Sequence, residues 1–291
     1  MGNVVFINGD FYSKEEARIS VFDKGFLYGD GVFEGIRAYD GKIFKLDEHV
    51  DRMFEGAKAI MLEPPYTKEE IKEIIIETCR RNDVKDAYIR PVLSRGIGDL
   101  GLNPFLSKKA SFVVIVDKLV MYPEEIYTNG MSVIVASTVR NSLNSLPPMI
   151  KSLNYLNNIL AKIEAVNANV PEAIMLNEDG FVSECTGDNI FIVKNGVLIT
   201  PPKEAGILVG ITRNEVINIA KKNGIVFEER MFPKMDLYVA DEIFLTGTGA
   251  EVVPVTKVDK RTIGDGKPGK ITKFILEEYR KITRAEGVPI R

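Results

Sequence analysis

At 291 residues the chain is long enough to bury a sizeable core and to form about two domains. Its net charge of -3 offers no basic surface for nucleic acid, and no apolar run reaches the roughly 18 residues that a membrane span needs. The single histidine, His49, excludes zinc sites with several histidine ligands, and Cys79 and Cys185 are too few and too far apart for a disulfide framework.

The N-terminus has no basic leader, so a cytoplasmic protein is expected. A chain rich in Lys and Glu, with no glutamine, also suggests a thermophilic source. Residues 4–7 and 10–12 flank Asn8-Gly9, a hairpin signal, and Asp40-Gly41 marks a second one. Gly29-Asp30-Gly31 resembles part of a dinucleotide fingerprint. That reading needs a helix directly afterwards, and residues 32–39 read as a strand. Helices are expected over 46–61 and 68–82, then strands over 87–93 and 112–116 around a Gly-rich loop. His49, in the charged start of the first of these helices, reads as a partly exposed residue.

Residues 121–130 carry a proline and charges without periodicity, and they read as a linker. The expected division is a smaller N-terminal domain over 1–120 and a larger domain over 131–291 that carries a reactive lysine. Pro147 and Pro148 put Lys151 on an irregular segment, ahead of a helix over 155–168 with Asn154 as its N-cap. Leu156, Ile159, Leu160, Ile163 and Val166 recur at helical spacing, so that face is expected to be buried. Short strands with turns at Asp179-Gly180 and Asn195-Gly196 follow, then a helix after Gly210, a strand pair around 243–254 and a last helix over 270–285. Tight hairpins among alternating strands and helices argue for an α+β protein with mostly antiparallel sheets.

Four features could carry chemistry. Lys151 reads on spacing alone as a loop lysine at the surface, or as a reactive amine. Glu184, in a short apolar strand, is a solvent-facing residue or a partner for a cation. Gly210-Ile211-Thr212 opens a helix, where free N–H groups and the dipole suit a phosphate, although ordinary caps look the same. Thr246-Gly-Thr-Gly-Ala250 is a tight turn whose small residues allow close backbone approach. Together they match what pyridoxal 5'-phosphate needs: a lysine, a carboxylate for the ring nitrogen and donors for the phosphate.

Motifs along nearly the whole chain strengthen that match. They are Tyr-Gly-Asp-Gly-Val-Phe-Glu-Gly-Ile-Arg (28–37), Glu-His-Val-Asp-Arg (48–52), Ala-Tyr-Ile-Arg-Pro (87–91) and Gly-Leu-Asn-Pro (101–104). To these are added Lys-Ser-Leu-Asn-Tyr (151–155), Ser-Glu-Cys-Thr-Gly (183–187), Gly-Ile-Thr-Arg (210–213) and Thr-Gly-Thr-Gly-Ala-Glu (246–251). With them the chain resembles the branched-chain amino-acid aminotransferases of the fold-type IV class of pyridoxal phosphate enzymes.

The resemblance implies a two-domain fold and exchange of an amino group between Leu, Ile or Val and 2-oxoglutarate. It implies that Lys151 bonds the cofactor and shuttles the proton, that Glu184 pairs with the ring nitrogen and that Tyr155 approaches the 3'-oxygen. Arg52, Ile211, Thr212 and Thr248 would hold the phosphate. Tyr88, Thr248 and Gly249 would meet the substrate carboxylate, with Arg90 supporting Tyr88 and helping to admit the second carboxylate of glutamate. Phe33, Gly35 and Arg37 would line the pocket. Tyr28 and Leu102 would reach in from the neighbouring subunit of a homodimer or larger homo-oligomer. No metal is implied. D-amino-acid transamination, or side activity on (R)-amines, is the alternative. Arg140 matches no motif.

Overall fold

The computed structural model describes residues 4–118 and 121–291. Two compact units divide the chain. The first takes Met1–Leu119, Ile150–Asn154 and Thr283–Arg291, and the second takes Val120–Met149 and Tyr155–Ile282.

In the first unit β1 (Val4–Ile7) and β2 (Asp10–Ser13) form the expected hairpin, with Asn8 and Gly9 at φ 53° and 116°. Positive φ at both turn residues matches the twist of the two strands. The aromatic stretch after it contains a short helix the sequence pattern did not announce, α1 (Lys24–Tyr28), whose N-cap Asp23 accepts from the Gly25 amide. Next come β3 (Gly31–Phe33), β4 (Ile36–Tyr39) and β5 (Lys42–Ile43). The strand after Gly31 removes the dinucleotide reading, because no helix N-terminus follows the glycines.

Helices α2 (Leu46–Ala59) and α3 (Lys68–Arg81) follow, the latter opened by a capping box between Thr67 and Glu70. They bury Val50, Met53, Ala57, Ile71 and Ile75 against the sheet made with β6 (Ala87–Ser94) and β7 (Ser111–Asp117). All pairings in this sheet are antiparallel.

The second unit opens with α4 (Glu124–Asn129), which lies inside the stretch expected to be a linker. Pro123 starts this helix and Gly130, at φ 78°, ends it, so proline and glycine act here as helix boundaries. After β8 (Met131–Val135) comes α5 (Leu156–Asn167). The sheet continues with β9 (Glu172–Leu176), β10 (Val182–Cys185), β11 (Asn189–Lys194) and β12 (Val197–Thr200).

Helix α6 (Ile211–Lys222), β13 (Phe227–Glu229) and the unannounced α7 (Lys234–Tyr238) lead to β14 (Glu242–Gly247), β15 (Glu251–Val258) and β16 (Arg261–Thr262). The strand order is β10-β9-β8-β15-β14-β11-β12-β13, with β16 on β15. Antiparallel pairs dominate, and β8 is parallel to both of its neighbours. The last helix, α8, spans Lys270–Ala285, and β17 (Val288–Pro289) adds an edge strand to β5 of the first sheet. The architecture is therefore α+β, with mostly antiparallel sheets and flanking helices.

Two expectations for the lysine region are corrected. Asn154 does not cap α5; the N-cap is Tyr155, and the Asn154 side chain donates instead to the Gly29 carbonyl. The apolar face of α5 is not buried: Leu156 is 67% exposed and Ile163 49%. The helix packs through Asn158, Ala161 and Ala165 instead, because small residues let it lie close to β9 while the branched ones stay outside. Periodicity identified an apolar face correctly but not what covers it.

Candidate active site

Lys151 sits in the Ile150–Asn154 segment, which packs with the first unit although the sequence assigned this lysine to the C-terminal domain. The cause is backbone pairing over a long sequence separation. The Phe33 amide donates to the Lys151 carbonyl at 3.1 Å, and the Leu153 amide donates to Gly31 at 3.0 Å. Helix α2 comes close because Gly56 has no side chain, since a Cβ there would lie 2.4 Å from the Ile150 carbonyl oxygen. Lys151 itself holds φ at 51°, a left-handed conformation that costs a side-chain-bearing residue about 1–3 kcal/mol. Its neighbours impose that conformation and thereby aim the side chain.

The amine lies 4.7 Å from the centre of the Phe33 ring. Part of the residue is open to solvent, but the amine end is shielded. Burial above all, opposed by Glu34 and Tyr88 and aided by Arg52 and Arg90, brings its pKa down from 10.5 to about 8. The guanidinium of Arg90 stacks on Phe33 at 4.6 Å, and its Nη2 donates to the Tyr88 hydroxyl at 2.7 Å. Tyr88 and Arg90 share one face of β6, two residues apart. Tyr88 is directly opposite Arg37, whose guanidinium stacks on Tyr39. Gly35 is required beside Tyr88, because a Cβ there would lie 2.1 Å from the phenol oxygen. The structure thus brings Phe33, Gly35, Arg37, Tyr88, Arg90 and Lys151 together.

Arg52 is held by Glu34, a residue the sequence did not single out. Nε and Nη2 of Arg52 each donate at 2.7 Å, one to each carboxylate oxygen, and His49 Nδ1 lies 2.8 Å from Oε2. Burial raises the Glu34 pKa, but the Arg52 guanidinium and His49 outweigh it and hold the carboxyl well below the usual range. Burial also lowers the pKa of His49 more than Glu34 raises it, so the ring is neutral near pH 7 and its Nδ1–H donates. The expectation of a partly exposed histidine is wrong: His49 is buried, because it faces the sheet one turn before Arg52. The signal was the i, i+3 spacing of His49 and Arg52, which shares one helix face.

In the second unit all four residues of β10 are buried, Glu184 included. Arg140 Nε donates to Glu184 Oε1 at 2.9 Å; the Leu208 amide at 2.9 Å and Asn189 Nδ2 at 3.1 Å donate to Oε2. The guanidinium of Arg140 also reaches Asn157 Oδ1 at 3.1 Å and Asn158 Oδ1 at 3.3 Å. Arg140 therefore holds both the carboxylate and the start of α5, where Tyr155 is the N-cap.

Gly210 caps α6 without a side-chain bond, and Thr212 in its first turn is buried. The first amides of α6, beginning at Ile211, therefore suit an anion. Thr248 and Gly249 lie in the turn between β14 and β15. Just before that turn, the buried Thr246 hydroxyl meets no hydrogen-bond partner among the described residues. Tyr28 and Leu102 belong to the first unit. The Tyr28 hydroxyl donates to the Leu100 carbonyl at 2.5 Å, and Leu102 is 80% exposed.

A shielded amine beside cations in one unit, and a buried carboxylate with an uncapped helix start in the other, are features of a pyridoxal phosphate transaminase. A family model described as "Amino-transferase class IV" matches residues 31–258, and the chain belongs to that family. It is an enzyme, a transaminase, and its relatives narrow the group. It is 49% identical over 98% of both chains to a protein of Methanocaldococcus jannaschii described as a putative branched-chain-amino-acid aminotransferase. A branched-chain aminotransferase of Thermoproteus uzoniensis, solved with norvaline, superposes with a TM-score of 0.93 at 39% identity, covering 100% of each chain. The branched-chain amino acid aminotransferase of Thermobaculum terrenum, solved in its PLP-form, gives 0.90 at 31% identity, covering 100% of this chain and 99% of that one.

Proposed function

We propose that the chain transfers the amino group between Leu, Ile or Val and 2-oxoglutarate, using pyridoxal 5'-phosphate. The observation that carries this reading is the Lys151 amine, strained at the backbone, shielded at its tip and with its pKa at about 8. The residues present fit the cofactor. The Thr246 hydroxyl lacks a partner among the described residues, and the α6 start offers amides without a side-chain cap. Bound pyridoxal phosphate supplies an electron sink for the pair left at the substrate Cα.

In the first unit Lys151 would hold the cofactor through its amine, and that amine in its neutral form would take the proton from the substrate Cα, which an ammonium cannot do. Arg52 binds the phosphate. Phe33, Gly35 and Arg37 shape the pocket, Tyr88 binds the substrate carboxylate, and Arg90 steadies Tyr88 and admits the second carboxylate of glutamate. In the second unit Glu184 holds the proton on the ring nitrogen, and Tyr155 meets the 3'-oxygen. Ile211, Thr212 and Thr248 bind the phosphate, while Thr248 and Gly249 meet the substrate carboxylate.

Two half-reactions test the reading. L-Glutamate bleaches the visible absorbance of the purified holoenzyme, and 4-methyl-2-oxopentanoate restores it. Bleaching by D-alanine and not by L-leucine would move the assignment to D-amino acids. Within the same scheme, Gly35→Ala displaces the Tyr88 hydroxyl and breaks its bond to Arg90. The expected result is a roughly tenfold rise in KM for L-leucine, the value of one hydrogen bond to a charged group, in steady-state assays. An unchanged KM would remove Tyr88 from the carboxylate grip.

The enzyme works as a homodimer or a larger homo-oligomer. The exposed stripe of α5 and the exposed Leu102, Phe105 and Leu106 support this, since monomers rarely leave such apolar area open. Leu160→Glu with Ile163→Glu is expected to dissociate the assembly, read by sedimentation velocity. An unchanged mass would exclude α5 from the interface.

Among the described residues no helix is long and apolar enough to cross a membrane; Cys79 and Cys185 are free thiols, as suits a reducing cytoplasm. Linked surface pairs such as Asp47 and Glu69 with Lys72 fit a thermophilic source.

A further inference from the structure

Glu34 takes no part in the roles assigned so far, yet it is fully buried. A carboxylate is not buried so deeply without partners. Both of its oxygens are engaged by donors from one face of α2, where His49 and Arg52 lie one turn apart. The chain between β3 and β4 delivers Glu34, between the pocket residues Phe33 and Gly35. A neutral imidazole on one side of the carboxylate and a forked guanidinium on the other fix it in one orientation.

We propose that Glu34 and His49 are positioning residues for Arg52, holding its guanidinium in the one orientation that grips the cofactor phosphate. The inference rests on the reading of Arg52 as a phosphate ligand. An arginine side chain loses much rotamer freedom when it binds an anion. A bidentate carboxylate removes that freedom in advance, and its planar fork matches arginine and not lysine. His49 acts one step further out. Its Nδ1–H keeps Glu34 Oε2 from turning away, and being neutral it does not compete with Arg52 for the carboxylate charge.

The test compares pyridoxal 5'-phosphate with pyridoxal, which lacks the phosphate, by absorbance titration of cofactor-stripped protein re-forming holoenzyme. Glu34→Gln is expected to weaken the phosphorylated form about tenfold or more, with little effect on pyridoxal. Arg52→Lys should show the same selectivity, and the double variant should lose no more than Arg52→Lys alone. His49→Asn, which keeps a donor at the Nδ1 position, should bind as the unaltered protein does; His49→Leu should show the selective loss. The two histidine variants leave the Glu34–Arg52 pair in place, so they decide the matter if Glu34→Gln fails to fold.

If Glu34→Gln weakens pyridoxal as much as its phosphate, or its effect adds to that of Arg52→Lys, Glu34 supports the fold and not the grip. If Arg52→Lys itself shows no phosphate selectivity, the assignment of Arg52 fails and the proposal fails with it.

Discussion

Lys151→Ala is expected to abolish transamination, by about 10³-fold or more, while leaving a folded protein. In the proposed function the lysine both holds the cofactor and moves the proton, and no other lysine among the described residues shares its surroundings beside Phe33 and Arg90. The pH behaviour of the amine makes the prediction sharper. The folded protein lowers the Lys151 pKa from 10.5 to about 8, so between those values it binds fewer protons there than the unfolded chain does. Stability therefore rises with pH across that window, and below it the charged amine opposes folding.

Two results follow. In cofactor-stripped protein, reductive methylation of Lys151 read by mass spectrometry should reach half its maximum near pH 8, well below an ordinary lysine. Thermal melting of Lys151→Ala at pH 7 should show no loss of stability, since a shielded ammonium has been removed. Half-maximal methylation near pH 10.5, or a Lys151→Ala enzyme that turns over normally, would refute the role of this amine.

What could be read from the sequence was whatever is decided locally. Asn8-Gly9 and Asp40-Gly41 were legible because their turns need positive φ at adjacent residues, and both pairs have it. Helices α2 and α3 were legible because an apolar stripe and caps lie within one segment. Lys151 and Glu184 became candidates through their residue types and local setting, and Arg52 through the resemblance of its motif to a known family, neither of which shows geometry.

Partners far apart in the chain were not legible. Glu34 meets His49 across 15 residues and Arg140 meets Glu184 across 44, and no periodicity spans such gaps. Helix α5 shows the same limit from the other side. Its apolar spacing is clear, but alanines and Asn158 make the internal contacts, so the pattern marks a face that stays exposed. The short helices α1 and α7 escaped notice because five residues are too few to show a period.

Glu184 with Arg140 gives the second large effect. Glu184→Gln keeps the shape of the side chain and loses its charge, so under the proposed function it would no longer hold the proton on the ring nitrogen. Loss of one group that stabilises developing charge typically lowers kcat about 10²- to 10³-fold. The same change leaves the buried guanidinium of Arg140 without its counter-charge. Breaking a buried pair from one side costs about 3–5 kcal/mol, so a lower melting temperature is expected as well. The two losses have different physical origins and can be separated. Replacing both residues, Arg140→Met with Glu184→Met, removes the uncompensated charge and should recover much of the stability, because two apolar side chains of similar length fill the space. Activity should not recover, because no carboxylate then faces the ring. Arg140→Met alone should lose stability and also kcat, since Glu184 Oε1 loses the donor that orients it. A doubly substituted enzyme that recovers turnover with its stability would show that Glu184 matters for folding alone, whereas stability without turnover assigns the carboxylate to the chemistry and Arg140 to its placement.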